Sequence, residues 1–181
     1  MTVIRQQDVT QSIADALQYI SYYHPVDFIQ AVKSAYDREE SKSAKDAMAQ
    51  ILINSRLCAT GKRPICQDTG IVTIFVKVGM QVQWDAEDSL DDMINEGVRQ
   101  AYTHPDNVLR ASILADPDGQ RKNTGDNTPA VIHYQVVPGN QVEIDVAANL
   151  VVINQRAVLS VSDCRNDQTP PIVVDLIVVN I

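Results

Sequence analysis

An α/β fold of the α+β-like kind, with N-terminal helices followed by a largely antiparallel sheet and one further helix, is predicted by three observations. Apolar residues recur at helical spacing from Asp8 to about Ala59, the period changes at Gly70 to a run of β-branched residues, and a single amphipathic stripe returns between Asp88 and Ala101. The 181 residues suffice for one well-buried domain and are too few for two.

The first helix is expected from about Asp8 to Tyr22, where Val9, Ile13, Ala16, Leu17 and Ile20 form one face and Asp8 or Thr10 is placed to cap the start. His24-Pro25 breaks it. Val26, Ile29, Val32 and Tyr36 then repeat the spacing in a second helix that fades within the charged stretch Asp37 to Ser43. Ser43 followed three residues later by Asp46 resembles a capping box for a third helix, carried by Ala47, Met48, Ile51, Leu52 and Ser55 to about Ala59.

Gly61-Lys-Arg-Pro-Ile-Cys-Gln-Asp-Thr-Gly70 follows as a loop, because Pro64 fits neither a helix interior nor a central strand. Ile71 to Val78 reads as a strand, and Met80 to Trp84 as a short second strand forming a hairpin with it. Asp88 is the expected cap of the fourth helix, whose Leu90, Ile94, Val98 and Ala101 share one stripe ending near His104-Pro105. Residues 106–129 are polar and turn-rich, a length of loop that in a compact domain usually serves function or is disordered. Ala130 to Val137 and Gln141 to Val146 alternate about Pro138-Gly-Asn140, which predicts a second hairpin.

Composition narrows the class of partner. A formal charge of −8 and an isoelectric point near 4.7, with scattered basic residues, argue against nucleic acid or an anionic membrane. The N-terminus lacks the apolar core of a secretory signal, and no apolar run is long enough to span a bilayer, so the expected location is the cytoplasm. Cysteines at 58, 66 and 164 are too few and too far apart for a disulfide framework.

Cys66 admits several readings. It suits a buried small hydrophobe, a metal or cluster ligand whose ionisation Lys62 and Arg63 would favour, or a nucleophile, although no histidine is near in sequence. Cys58, near the end of the third helix, reads as packing. Arg110 lies in the polar segment, where a guanidinium can clamp a carboxylate through two parallel hydrogen bonds or form an ordinary surface ion pair. Asn123 to Pro129 offers donors to an anion and equally suits a plain turn. His24 and His104 precede prolines and read as boundary residues, and His133 as packing or surface.

Taken together, Arg63-Pro-Ile-Cys-Gln-Asp-Thr-Gly70, Asn107-Val-Leu-Arg110 and Asn123-Thr-Gly-Asp-Asn-Thr-Pro-Ala130 resemble the N-terminal part of the class I, iron-sulfur-dependent fumarate hydratases and of tartrate dehydratase alpha subunits. The resemblance runs from the first helices through Ala148, which divides the chain into 1–148, of family character, and a divergent hydrophobic tail, 149–181. It implies a carbon-oxygen hydro-lyase acting on a small dicarboxylate, with a 4Fe-4S cluster held by three cysteines and one iron serving as a Lewis acid. By position it implies that Cys66 is a cluster ligand, that Gln67 and Asp68 face the substrate or its iron, and that Arg110 holds a carboxylate.

The tail departs from the family pattern. After Ala148 the family continues with a lysine, a glycine run and segments bearing two further cluster cysteines, whereas this chain has Asn149-Leu-Val-Val-Ile153. A truncation or change of reading frame near Ala148 would account for this, and so would a genuine tail strand packed on the sheet. One matching cysteine leaves a three-thiolate cluster incomplete. The chain alone is therefore expected to be inactive, with a homo- or hetero-oligomer supplying the missing segments in an active form, or else to be a non-catalytic remnant or binding module.

Overall fold

The computed structural model describes residues 3–66 and 70–149, together with the backbone of strands 154–161 and 173–176. The elements in order are β1 (Val3–Arg5), α1 (Gln6–Tyr22), α2 (Val26–Arg38), α3 (Lys42–Gly61), β2 (Ile71–Gly79), β3 (Gln83–Asp85), α4 (Leu90–Tyr102), β4 (Val131–Val137), β5 (Val142–Asn149), β6 (Asn154–Val161) and β7 (Val173–Leu176). The predicted class holds: after the three-residue β1, three helices precede the main sheet, one further helix interrupts the strands, and the main sheet is largely antiparallel.

That sheet has the order β4-β2-β5-β6-β7. Only the β2–β4 pairing is parallel, with Phe75 opposite His133; β2–β5, β5–β6 and β6–β7 are antiparallel. Alternation along β2 and β5 turns Val72, Ile74, Val76, Val142, Ile144 and Val146 to one face. On that face α1 lays Val9, Ile13, Leu17 and Ile20, and α4 contributes Met93, Ile94, Val98 and Ala101, all fully or almost fully buried. The result is a two-layer core, helices over one side of a sheet.

Glycine at 97 allows α1 and α4 to close. A Cβ there would lie 2.7 Å from the Thr10 carbonyl oxygen and 2.9 Å from Ile13 Cβ. The Thr10 hydroxyl donates to the Met93 carbonyl at 3.3 Å across the same contact.

Both predicted hairpins are corrected by the pairing, for a single reason. β2 occupies the slot between β4 and β5, so those strands do not pair with each other, and the Pro138–Asn140 connection passes around the end of β2. There Gly79 N donates to Gln141 O (2.8 Å), Met80 N to Val137 O (2.9 Å) and Gln81 N to Gly139 O (2.9 Å). With both edges of β2 filled, the segment after Gly79 cannot fold back on it. Residues 83–85 instead form β3, which pairs in parallel with β1. β1 itself was not foreseen; at three residues it is too short to show an alternating pattern.

Three helix starts also differ from expectation. α1 begins directly after β1 with Arg5 at the cap position, and Asp8 sits in the first turn bonded to the Arg5 guanidinium at 2.8 and 3.0 Å. The cap position of α3 is Ser41 rather than Ser43. α4 is capped by Ser89, whose Oγ accepts from Asp92 N at 3.2 Å, while Asp88 accepts from Gln6 Nε2 at 2.6 Å. In the tail, β6 and β7 extend the sheet edge beyond β5. The sequence of residues 162–171 is turn-like, and that stretch lies outside the described residues.

Candidate functional site

The loop after α3 begins with a left-handed residue, Lys62 at φ 47°, and both Lys62 N and Arg63 N donate back to the Cys58 carbonyl. Cys58 is buried, its thiol directed to Asn54 Oδ1 and Pro64 O at 3.6 Å each, and burial pushes that thiol's pKa up. It packs, as its place on the helix suggested.

Ile65 is gripped through its backbone on both sides. Its N–H donates to the Ser21 carbonyl at 2.8 Å, and its carbonyl accepts from Asn54 Nδ2 at 3.3 Å. The next residue, Cys66, is exposed. That excludes the buried-hydrophobe reading. Gln67 and Asp68 lie outside the described residues. The chain resumes at Gly70, in the left-handed region at φ 60°.

The second motif is anchored at the end of α1. Asn107 is buried; its Nδ2 donates to Gln18 Oε1 (2.7 Å) and to Ser21 Oγ (3.4 Å), and its carbonyl accepts from Gln18 Nε2 (2.9 Å). Leu109 is buried beside it, whereas Arg110 projects to the surface. Ser21 therefore serves two motifs, its carbonyl holding the Cys66 loop and its hydroxyl holding Asn107. A cleft of about 310 Å³ lies alongside, lined by Tyr19, Tyr22, Lys62 and His104 among others.

The third motif folds onto the second. Asn123 Nδ2 donates to Ala111 O at 2.8 Å, Thr124 N to Ile113 O at 2.9 Å, and Leu114 and Asn123 form an antiparallel bridge. Asp126 accepts from Thr128 N (3.0 Å), Thr128 Oγ1 (2.8 Å) and Arg99 Nε on α4 (3.1 Å). Burial by itself would raise the Asp126 pKa, but these donors and the Arg99 charge outweigh it and hold the carboxyl below its ordinary value. Asn127, fully buried at φ 61°, accepts from Ser112 N through Oδ1 (2.6 Å) and donates from Nδ2 to the Gly70 carbonyl (3.1 Å).

Three segments far apart in sequence are thus brought together, with Cys66 and Arg110 each close in chain to a tethered residue. The tethers Gln18 and Ser21 were missed by sequence reasoning; the one available signal was a glutamine on an otherwise apolar helix face. His133 stacks on Phe75 at 5.0 Å between centroids and lies exposed on the sheet, away from the motifs in sequence.

The described residues do not by themselves complete the implied cluster. A three-thiolate site needs three converging cysteines, yet Cys58 is buried in its own helix-end contacts and Cys164 lies outside the described residues. Among the described residues no three His, Cys, Asp or Glu side chains converge on a metal site. Nor is any helix among them long and apolar enough to cross a membrane.

Comparison with known proteins places these observations. The L(+)-tartrate dehydratase subunit alpha of Escherichia coli (strain UTI89 / UPEC) is 30% identical over 138 residues, 76% of this chain and 45% of that protein. The anaerobic class I fumarate hydratase of Escherichia coli (strain K12) is 34% identical over 106 residues, 59% of this chain and 19% of that protein. The chain thus spans less than half the length of these curated relatives. The model of a family described as fumarate hydratase (Fumerase) matches residues 10–149, a range that includes all three motif segments and ends with β5. The chain belongs to the fumarate hydratase (Fumerase) family.

Proposed function

We propose that this chain is the N-terminal part of a hydro-lyase catalytic unit that adds water to, or removes it from, a small dicarboxylate of the fumarate or tartrate kind. The reading rests on the tethering of the three motif segments, all within the family match, through Ser21 and Asn127. In it Cys66 supplies one thiolate to a 4Fe-4S cluster whose remaining donors come from outside the described residues. Arg110 binds a substrate carboxylate through the fork of its guanidinium, and Gln67 and Asp68 face the same substrate. Residues 149–181 follow this unit in sequence as a tail, whose β6 and β7 continue its sheet. The chain alone neither holds the cluster nor turns over substrate, and a partner subunit or second segment completes the site.

The test is anaerobic purification of the chain, reconstitution with iron and sulfide, and measurement of iron, acid-labile sulfide, fumarate hydration and L-tartrate dehydration. Alone, the chain should give no stoichiometric cluster and no turnover. Paired with a chain supplying the missing cysteines it should gain both, and Cys66→Ser should abolish them. A cluster and turnover in the isolated chain would overturn the claim of incompleteness. Full activity of the paired Cys66→Ser form would overturn the ligand assignment.

A further inference from the structure

We infer that Asn127 is a positioning residue that sets the Cys66 loop against the Arg110 segment, an inference that rests on reading those two residues as parts of one site. Its side chain bonds to both segments: Oδ1 accepts from Ser112 N, two residues after Arg110, and Nδ2 donates to the carbonyl of Gly70, four residues after Cys66. The amide is used at both ends and is fully buried, so losing either bond leaves a polar group without a replacement from bulk water at that position.

The residue type follows from two simultaneous demands. The backbone stands at φ 61°, a region that glycine, asparagine and aspartate adopt more readily than other residues and β-branched side chains least. The side chain must accept a bond from one backbone and donate one to another. Aspartate meets the first demand and the acceptor half of the second; glycine meets only the first; asparagine meets both. Neighbouring contacts brace it, since Asp126 is held by Arg99 from α4 and Ala130 N donates to Asn95 Oδ1 at 2.9 Å. The tie is therefore mounted on the helix that carries the core.

Asn127→Asp and Asn127→Gly separate this role from a general contribution to folding, because both keep the left-handed backbone. The intact chain is followed by amide hydrogen exchange at Ser112 and by iodoacetamide alkylation of Cys66, with buried Cys58 as internal reference. In Asn127→Asp, exchange at Ser112 should stay within about twofold of the parent while alkylation of Cys66 changes about tenfold, the order expected for one lost hydrogen bond. In Asn127→Gly both should change about tenfold, with Cys58 unaffected in each. The inference is overturned if Cys66 reactivity stays within twofold in both variants. It is equally overturned if Cys58 and Cys66 shift together or either variant unfolds, since Asn127 would then support the fold as a whole. Neither readout needs a cluster or a substrate, so the hydro-lyase reading and this one can fail separately.

Discussion

The two helix pairs of this molecule stand in contrast. α1 and α4 hold most of the buried helical residues, seal against β2 and β5, and meet so closely at Gly97 that no side chain fits between them. α2 has no buried residue, and α3 has only Ser55 and Cys58; Val26, Ile51, Ile53 and Leu57 of this pair are exposed. Amphipathic patterning predicted all four helices equally well, yet only one pair is bound into the core. Spacing says that a helix has an apolar face, and the sheet decides which faces it covers.

The contrast can be tested by substitutions of decreasing effect. Ile94→Ala, at a completely buried position of α4, should cost about 2–5 kcal/mol in urea unfolding. A small effect there would mean that the α1–α4 layer is not the stabilising one. Gly97→Ala places a methyl group 2.7 Å from a backbone oxygen that cannot swing away, so a loss of about 1–3 kcal/mol is expected despite alanine's better helix propensity. Ser89→Ala removes the acceptor at the start of α4 and should cost about 1 kcal/mol, read as a shift in denaturation midpoint at constant slope. Leu57→Ser on exposed α3 should lie within about 0.5 kcal/mol of the parent. If it destabilises as strongly as Ile94→Ala, the two pairs are not energetically distinct.

Acid sharpens the same comparison at the join between the pairs. His24 links the end of α1 to the α2–α3 pair, stacking on Phe28 at 4.6 Å and placing Nδ1 3.1 Å from Ser55 Oγ. Burial holds its pKa below the ordinary 6.5, so as pH falls the unfolded chain takes up the proton first. The unfolded state then binds more protons, so the contribution of neutral His24 is present above about pH 6.5 and declines as pH drops through and below that value. Urea midpoints measured from pH 7.5 to 5 should fall in the parent and fall less steeply in His24→Gln; equal slopes would remove His24 from the account.

How much of this was legible beforehand varied with the range of the interactions. Helix faces such as Val9, Ile13, Leu17 and Ile20 could be read because the spacing that buries them is local. Strand partners could not, since nothing near Val137 announces that Gly79 to Gln81 will lie between it and Gln141. Cys66 and Arg110 stood out as candidates by residue type and motif alone. Their supports did not, because Gln18 and Ser21 lie on a helix that reads as core, and their partners are encoded more than 40 residues away.

The position of β2 also has a temporal consequence. It is the strand between β4 and β5, yet both neighbours are encoded after it, the last ending at Asn149. At a synthesis rate of roughly 5–20 residues per second, Ile71 to Val78 would emerge about 4–14 seconds before its second flank is complete. For that interval a β-prone, largely apolar segment has unpaired edges, while α1 awaits the sheet it will cover. Order of synthesis therefore runs against order of assembly, and the birth of the sheet is the stage at which this chain is most exposed to mispairing with its own copies.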